Sequence, residues 1–115
     1  MFIEIEQLLG RVINRIHKTE EEIYFYCNNG RAFKMYHQQD CCEAVTVEDI
    51  VGDLDDLIGT PILEADERNQ QDTDASESGT WTFYELRTIK GSVPIRWYGS
   101  SNGYYSEDVA FTEII

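Results

Sequence analysis

Apolar and polar positions along this chain change period several times, and each change marks an element. Ile3–Leu9 suits one or two helical turns that stop at Gly10. Arg11–His17 then alternates, with Val12, Asn14 and Ile16 on one side and Ile13 and Arg15 on the other, which predicts a strand. Glu22–Cys27 and Arg31–His37 are aromatic-rich runs on either side of Asn29-Gly30. Asn-Gly in that setting signals a hairpin, because both residues of a two-residue turn need positive φ. Such a loop sets Tyr26 against Phe33, Tyr24 against Met35, Ile23 against Tyr36 and Glu22 against His37. Apolar groups on both faces of this hairpin place it centrally, covered on both sides.

Glu43–Val47 continues as a short strand. From Glu48 to Ile58 the period lengthens: Ile50, Val51, Leu54, Leu57 and Ile58 recur at helical spacing, with Asp49, Asp53, Asp55 and Asp56 between them. That predicts an acidic amphipathic helix of about three turns, ended by Gly59 and Pro61. Pro61–Asp66 reads as a strand, and residues 68–79, with no hydrophobic residue larger than Ala75, as a flexible acidic loop. Thr80–Lys90 and Ser92–Gly99 flank Lys90-Gly91. A loop there sets Glu85 against Arg96, Leu86 against Ile95 and Tyr84 against Trp97, whereas a one-residue shift brings Arg87 against Arg96, two like charges. Asn102-Gly103 marks another turn, and Glu107–Ile114 the last strand, with Val109 and Phe111 on one face. The fold class expected is α+β: predominantly an antiparallel β meander of seven to eight strands, with one acidic helix and a short N-terminal helical turn, in a single domain over 1–115.

Composition narrows the functions. The chain has 115 residues, 22 acids against 9 bases and a formal net charge of −13, so DNA, RNA and anionic membrane surfaces are unfavourable partners. A 42% hydrophobic and 12% aromatic content still supports a core. Half the acids fall between Glu48 and Glu77, where only Arg68 opposes them. Glu48, Asp49, Asp53, Asp55 and Asp56 on the predicted helix make a candidate protein-docking surface, since spaced carboxylates can imitate a run of phosphates. Calcium is not expected: Asp53, Asp55 and Glu64 fit three EF-hand positions, but Leu57 and Ile58 stand where an oxygen ligand and a glycine are needed. No apolar run approaches the ~20 residues of a membrane span, and the acidic start lacks a signal-peptide pattern.

Reactive groups gather in two places. His37, Asp40, Cys41, Cys42 and Glu43 bring a base, carboxylates and thiols together, but without the second ligand pair a zinc site needs. Neighbouring cysteines are poorly placed to bridge, so Cys27, Cys41 and Cys42 are expected as free thiols, one of the adjacent pair a small core residue. The second cluster, Arg96–Glu107, mixes aromatic faces with hydroxyls and an amide; Arg96, Tyr98, Asn102, Tyr104 and Tyr105 suit a nucleotide-like or sugar ligand. No cofactor motif is present.

The stretches Tyr36–Glu43, Val47–Leu54, Pro61–Ala65, Trp81–Tyr84, Thr88–Gly91, Ile95–Gly99 and Tyr105–Glu107 together resemble a family of small proteins of unknown function encoded by phages, prophages and some bacteria. The resemblance covers nearly the whole chain and brings no catalytic residues with it. It implies a cytoplasmic accessory factor in a bacterial host cell. The leading expectation is a non-catalytic protein that binds a basic surface on a host protein, as an inhibitor of bacterial defence. Alternatives are a nucleotide-type small-molecule binder and a cysteine-dependent enzyme built on Cys41 or Cys42 with His37.

Overall fold

A computed structural model describes residues 3–114. Among the described residues, eight strands form two four-stranded antiparallel sheets. They are β1 (Ile13–Lys18), β2 (Glu22–Cys27), β3 (Ala32–Tyr36), β4 (Ala44–Ile50), β5 (Glu64–Gln71), β6 (Ser78–Thr88), β7 (Gly91–Ser101) and β8 (Ala110–Ile114). The first sheet runs β1-β2-β3-β8 and the second β4-β7-β6-β5. Inward-facing residues of both sheets feed one core: Ile23, Phe25, Phe33, Met35 and Phe111 from the first, and Val45, Tyr84, Leu86, Val93, Ile95 and Trp97 from the second. Backbone bonds stitch the sheets at their margins, from Gly10 to Ile62, Gly59 to Ile13 and Val47 to Glu20.

The fold is therefore all-β, not α+β. Two short 3₁₀ turns, Ile5–Leu8 and Leu54–Leu57, are the helical elements among the described residues, and no helix is long and apolar enough to cross a membrane. The acidic helix expected over Glu48–Ile58 does not form. A β-branched run, Val45-Thr46-Val47, starts a strand that persists to Ile50. Gly52, at φ 92°, then breaks the chain, and only one 3₁₀ turn follows. Of the residues at helical spacing only Ile50 lies in the strand; Leu54 and Leu57 belong to the 3₁₀ turn, a single helical turn in place of three, and Ile58 caps it. A bulge between Val47 and Asp49 inserts one residue, so Val47 and Ile50, three apart, pair with Trp97 and Ile95 and face the same core. A bulge between Ile13 and Arg15 does the same for Ile13 and Ile16 in β1.

Both hairpins fall where turn residues predicted them, with different registers. In the first, Tyr26 pairs with Ala32, Phe25 with Phe33, Tyr24 with Lys34, Ile23 with Met35 and Glu22 with Tyr36. The loop has three residues, Asn28-Asn29-Gly30, and only Gly30, at φ 83°, needs positive φ. That one-residue slip gathers Ile23, Phe25, Phe33 and Met35 on the core face. The outer face, with Tyr24, Tyr26 and Tyr36, is half-buried under Arg15 and Lys34, and the described residues place no further strand layer over it. In the second hairpin the loop is Ile89-Lys90, so Phe83 pairs with Arg96, Tyr84 with Ile95 and Leu86 with Val93. This slip is two residues, which leaves each side chain on its expected face. Arg68–Gln71, read from its polarity as loop, extends β5 along β6, and only residues 72–77 connect the two strands.

Candidate functional site

Glu43 organises the connection from β3 to β4. It is 4% exposed. Its carboxylate accepts hydrogen bonds from the backbone N–H groups of Asp40 and Cys41 at 2.9 Å each, from the Gln39 amide at 3.2 Å and from His37 Nε2 at 2.7 Å. The His37 pair first, and then these backbone donors against the cost of burial, hold its carboxyl down at about 2. His37 Nδ1 lies 2.7 Å from the Asp108 carbonyl oxygen. Both ring nitrogens thus lie within hydrogen-bond distance of protein oxygens. Neither nitrogen is placed to take a proton from a thiol. Cys41 and Cys42 are not free: their sulfurs are bonded to each other, and both residues lie exposed in a bend outside any strand, so neither is a core residue. Cys27 is the buried free thiol.

Glu107, 7% exposed, does the same for the connection from β7 to β8. Thr80 Oγ1 donates to it at 2.7 Å and Ser101 Oγ at 2.5 Å. Burial raises its pKa, but the hydroxyls of Ser101, Thr80 and Ser78 outweigh burial and hold it below the ordinary value. Gly99 makes this possible, because a Cβ there would stand 2.8 Å from the Glu107 carbonyl oxygen. The connections 37–43, 72–77 and 102–109 therefore meet at one end of the sandwich. Between them lies an end cleft of about 390 Å³, lined by Cys42, Ser78, Tyr98, Asn102 and Tyr105 among others. Tyr98 donates to Asp72 at 2.7 Å and packs against Trp81 at 4.7 Å.

The expected ligand-contact residues are thus divided. Tyr98, Asn102 and Tyr105 share the end cleft. His37 and Asp40 line a second, side cleft of about 550 Å³ with Glu4, Glu67, Asp108 and Phe111. Cys41 and Glu43 belong to the loop between them. Tyr104 is 83% exposed and meets Tyr105 edge-on. Arg96 lies on the outer face of the second sheet, its Nη2 2.6 Å from Asp49 and its guanidinium 5.6 Å over Trp81.

The expected docking acids sit on a strand end and a turn in place of a helix. Glu48 occupies the β4 bulge and Asp49 is paired with Arg96. Asp53 caps the 3₁₀ turn by accepting from the Asp55 N–H at 2.9 Å, and Asp53 and Asp55 are exposed. Among the described residues, Asp53, Asp55 and Asp56 make no ion pair, whereas Arg31, Lys34, Arg68, Arg87 and Arg96 each meet a carboxylate. Sequence reasoning missed Glu4, Glu67 and Asp108. Glu67 had one local signal, a carboxylate on the alternation phase of Ala65, which the expectation of a strand ending at Asp66 concealed.

A family model described as a domain of unknown function, DUF7448, matches residues 6–111. No curated protein and no solved structure matches the chain. With nearly its whole length under that match, this chain belongs to the DUF7448 family.

Proposed function

We propose that this is a non-catalytic binding protein, a phage accessory factor that docks its acidic surface on a basic host protein and so inhibits a bacterial defence. The observation that carries the reading is the surplus of carboxylates after β4: Asp53, Asp55 and Asp56 lack a cation among the described residues, while most bases are already paired. Unpaired surface charge costs little in the free protein and is available to a partner of opposite sign. The groups with catalytic potential, His37, Glu43 and Glu107, are spent on holding loops. The test is capture of a host protein by the wild type and by Asp53→Lys, Asp55→Lys, Asp56→Lys combined. Capture that weakens with salt and is lost in the triple variant supports the reading; unchanged capture by the variant overturns it.

A second reading, a small-molecule binder of nucleotide type, is favoured by the end cleft, which gathers Tyr98, Asn102 and Tyr105 beside Ser78 and Ser101. A thermal-shift screen of nucleotides near 1 mM tests it, and absence of any shift removes it for the compounds used.

A further inference from the structure

The two sheets end in four edge strands, β1 and β8 in the first and β4 and β5 in the second. Three of these edges are met by a neighbouring segment. Ile13 of β1 bridges to Ile58, and Val12 just ahead of it to Pro61. On β4 the Val47 N–H donates to the Glu20 carbonyl, and on β8 the Phe111 carbonyl accepts from the Ile3 N–H. Among the described residues, no backbone group meets the outer side of β5. β5 pairs with β6 from Glu64 to Gln71 without a bulge. Just past its end, the Asp72 N–H donates to the Gly79 carbonyl at 2.8 Å, in the same register. Antiparallel bonding alternates, so Asp66, Arg68 and Gln70 bond to β6, while Ala65, Glu67, Asn69 and Gln71 turn their N–H and C=O groups outward. The 3₁₀ turn Ile5–Leu8 packs beside β5, but every residue from Arg68 to Gln71 is exposed. Such an edge is a ready template for another strand.

Charge decides which strand the edge admits. Between Glu64 and Glu77 six acids stand against Arg68 alone, so a second copy of this chain is repelled and a basic segment is drawn in. A pocket of about 400 Å³, lined by Arg68, Asn69, Gln70 and Phe83, opens beside the exposed stretch. Phe83, whose ring stacks on Trp81 at 6.0 Å, gives that pocket an apolar side. Alternate side chains of an added strand fall on this face, and the stem of a Lys or Arg can lie on the ring while its charge stays in water.

We propose that β5 is a strand-addition site: an extended basic segment of the partner pairs with the outward backbone groups of Glu67, Asn69 and Gln71 and lays one cationic side chain against Phe83. The inference rests on the reading above, that the partner is a basic protein, and gives that partner a mode of attachment at the edge of the second sheet opposite β4. In strand addition the main-chain bonds supply affinity and the pockets for alternate side chains supply specificity.

The test uses an acetylated and amidated peptide of alternating Lys and Val on the full chain. Two controls accompany it: the same peptide with every backbone nitrogen methylated, and a Glu-Val counterpart. Calorimetry compares the wild type, Gln71→Pro and the Asp53/Asp55/Asp56→Lys variant. Pro at position 71 removes an outward N–H and leaves the bonds to β6 in place, as edge strands tolerate, and thermal unfolding checks the fold. The methylated peptide probes the same bonds with the protein unaltered. The wild type should bind the Lys-Val peptide and neither control, and Gln71→Pro should bind it about tenfold or more weakly. Equal binding of the methylated and unmethylated peptides, or unchanged binding by folded Gln71→Pro, overturns the inference. So does a wild-type dimer that Gln71→Pro dissolves, which gives the edge to a second copy. If the peptide is lost only in the triple reversal, strand addition fails while acidic docking stands; if no basic peptide binds any form, both fail.

Discussion

His37 Nε2 donates to Glu43 Oε2 across 2.7 Å, and this one contact fixes the connection between β3 and β4 from its two ends. The same carboxylate draws in the N–H groups of Asp40 and Cys41. The loop is thus wound around a buried negative charge, and its order depends on that charge persisting.

The pH dependence follows from this. The folded value of about 2 for Glu43 lies below the ordinary 4.5, and Glu107 is lowered too. In that window the unfolded chain binds more protons than the folded one, so stability rises with pH. The contribution is complete above the unfolded value and is lost as pH falls from 4.5 toward 2. Thermal unfolding should show a flat Tm above pH 5 and a steep fall below it. Glu43→Gln should be less stable near neutrality and show a shallower acid slope.

Gly99 is where the β7 backbone and the Glu107 segment come closest. Gly99→Ala would press a methyl against the Glu107 carbonyl and Cβ and against Val45 Cγ2, at 2.8, 2.9 and 3.0 Å. Two of these neighbours are fixed by backbone, so a loss of about 1–3 kcal/mol is expected in denaturant unfolding. Gly79→Ala differs, because its methyl would meet the Tyr98 hydroxyl at the far end of a side chain. That substitution should displace Tyr98 from Asp72 and alter the end cleft, at a smaller cost in stability than Gly99→Ala.

The Phe33 and Phe111 rings stack at 5.6 Å, joining β3 to β8, and both are buried. Phe111→Ala should cost about 3–5 kcal/mol. Asp49→Asn, which breaks a half-exposed pair with Arg96, should cost less than about 1 kcal/mol. Urea unfolding of both variants separates core packing from surface charge.

Cys27 is buried at the end of β2, and burial pushes its thiol up. It should alkylate with iodoacetamide far more slowly in the folded protein than in urea, by mass spectrometry at neutral pH. Equal rates in the two states would place Cys27 at the surface.

Local chemistry was readable in the sequence wherever a turn or an alternation is a property of adjacent residues. Asn29-Gly30 marked a hairpin, but the pair is compatible with two- and three-residue loops, and the choice depends on which side chains the second sheet covers. Lys90-Gly91 located the next turn to within two residues and kept every side chain on its face. The Glu48–Ile58 segment misled because its apolar spacing runs across the end of β4, a break at Gly52 and the 3₁₀ turn Leu54–Leu57, of which only the last is helical. The side cleft was invisible, since Glu4, Asp40, Glu67 and Asp108 share no sequence neighbourhood and meet only through sheet topology.

That topology also governs how the chain can assemble. β1 to β3 form from neighbours, and so do β6 and β7, but β8 must find β3, and β4 must find the far side of β7. Closing such distant pairings costs entropy before any contact repays it, which places folding on the slow side for a domain of this size. Until Phe111 docks on Phe33, the edge of β3 and the apolar face of the first hairpin stay open to solvent. A half-folded chain therefore offers other strands a template, and its passage to the native state is the stage most exposed to aggregation.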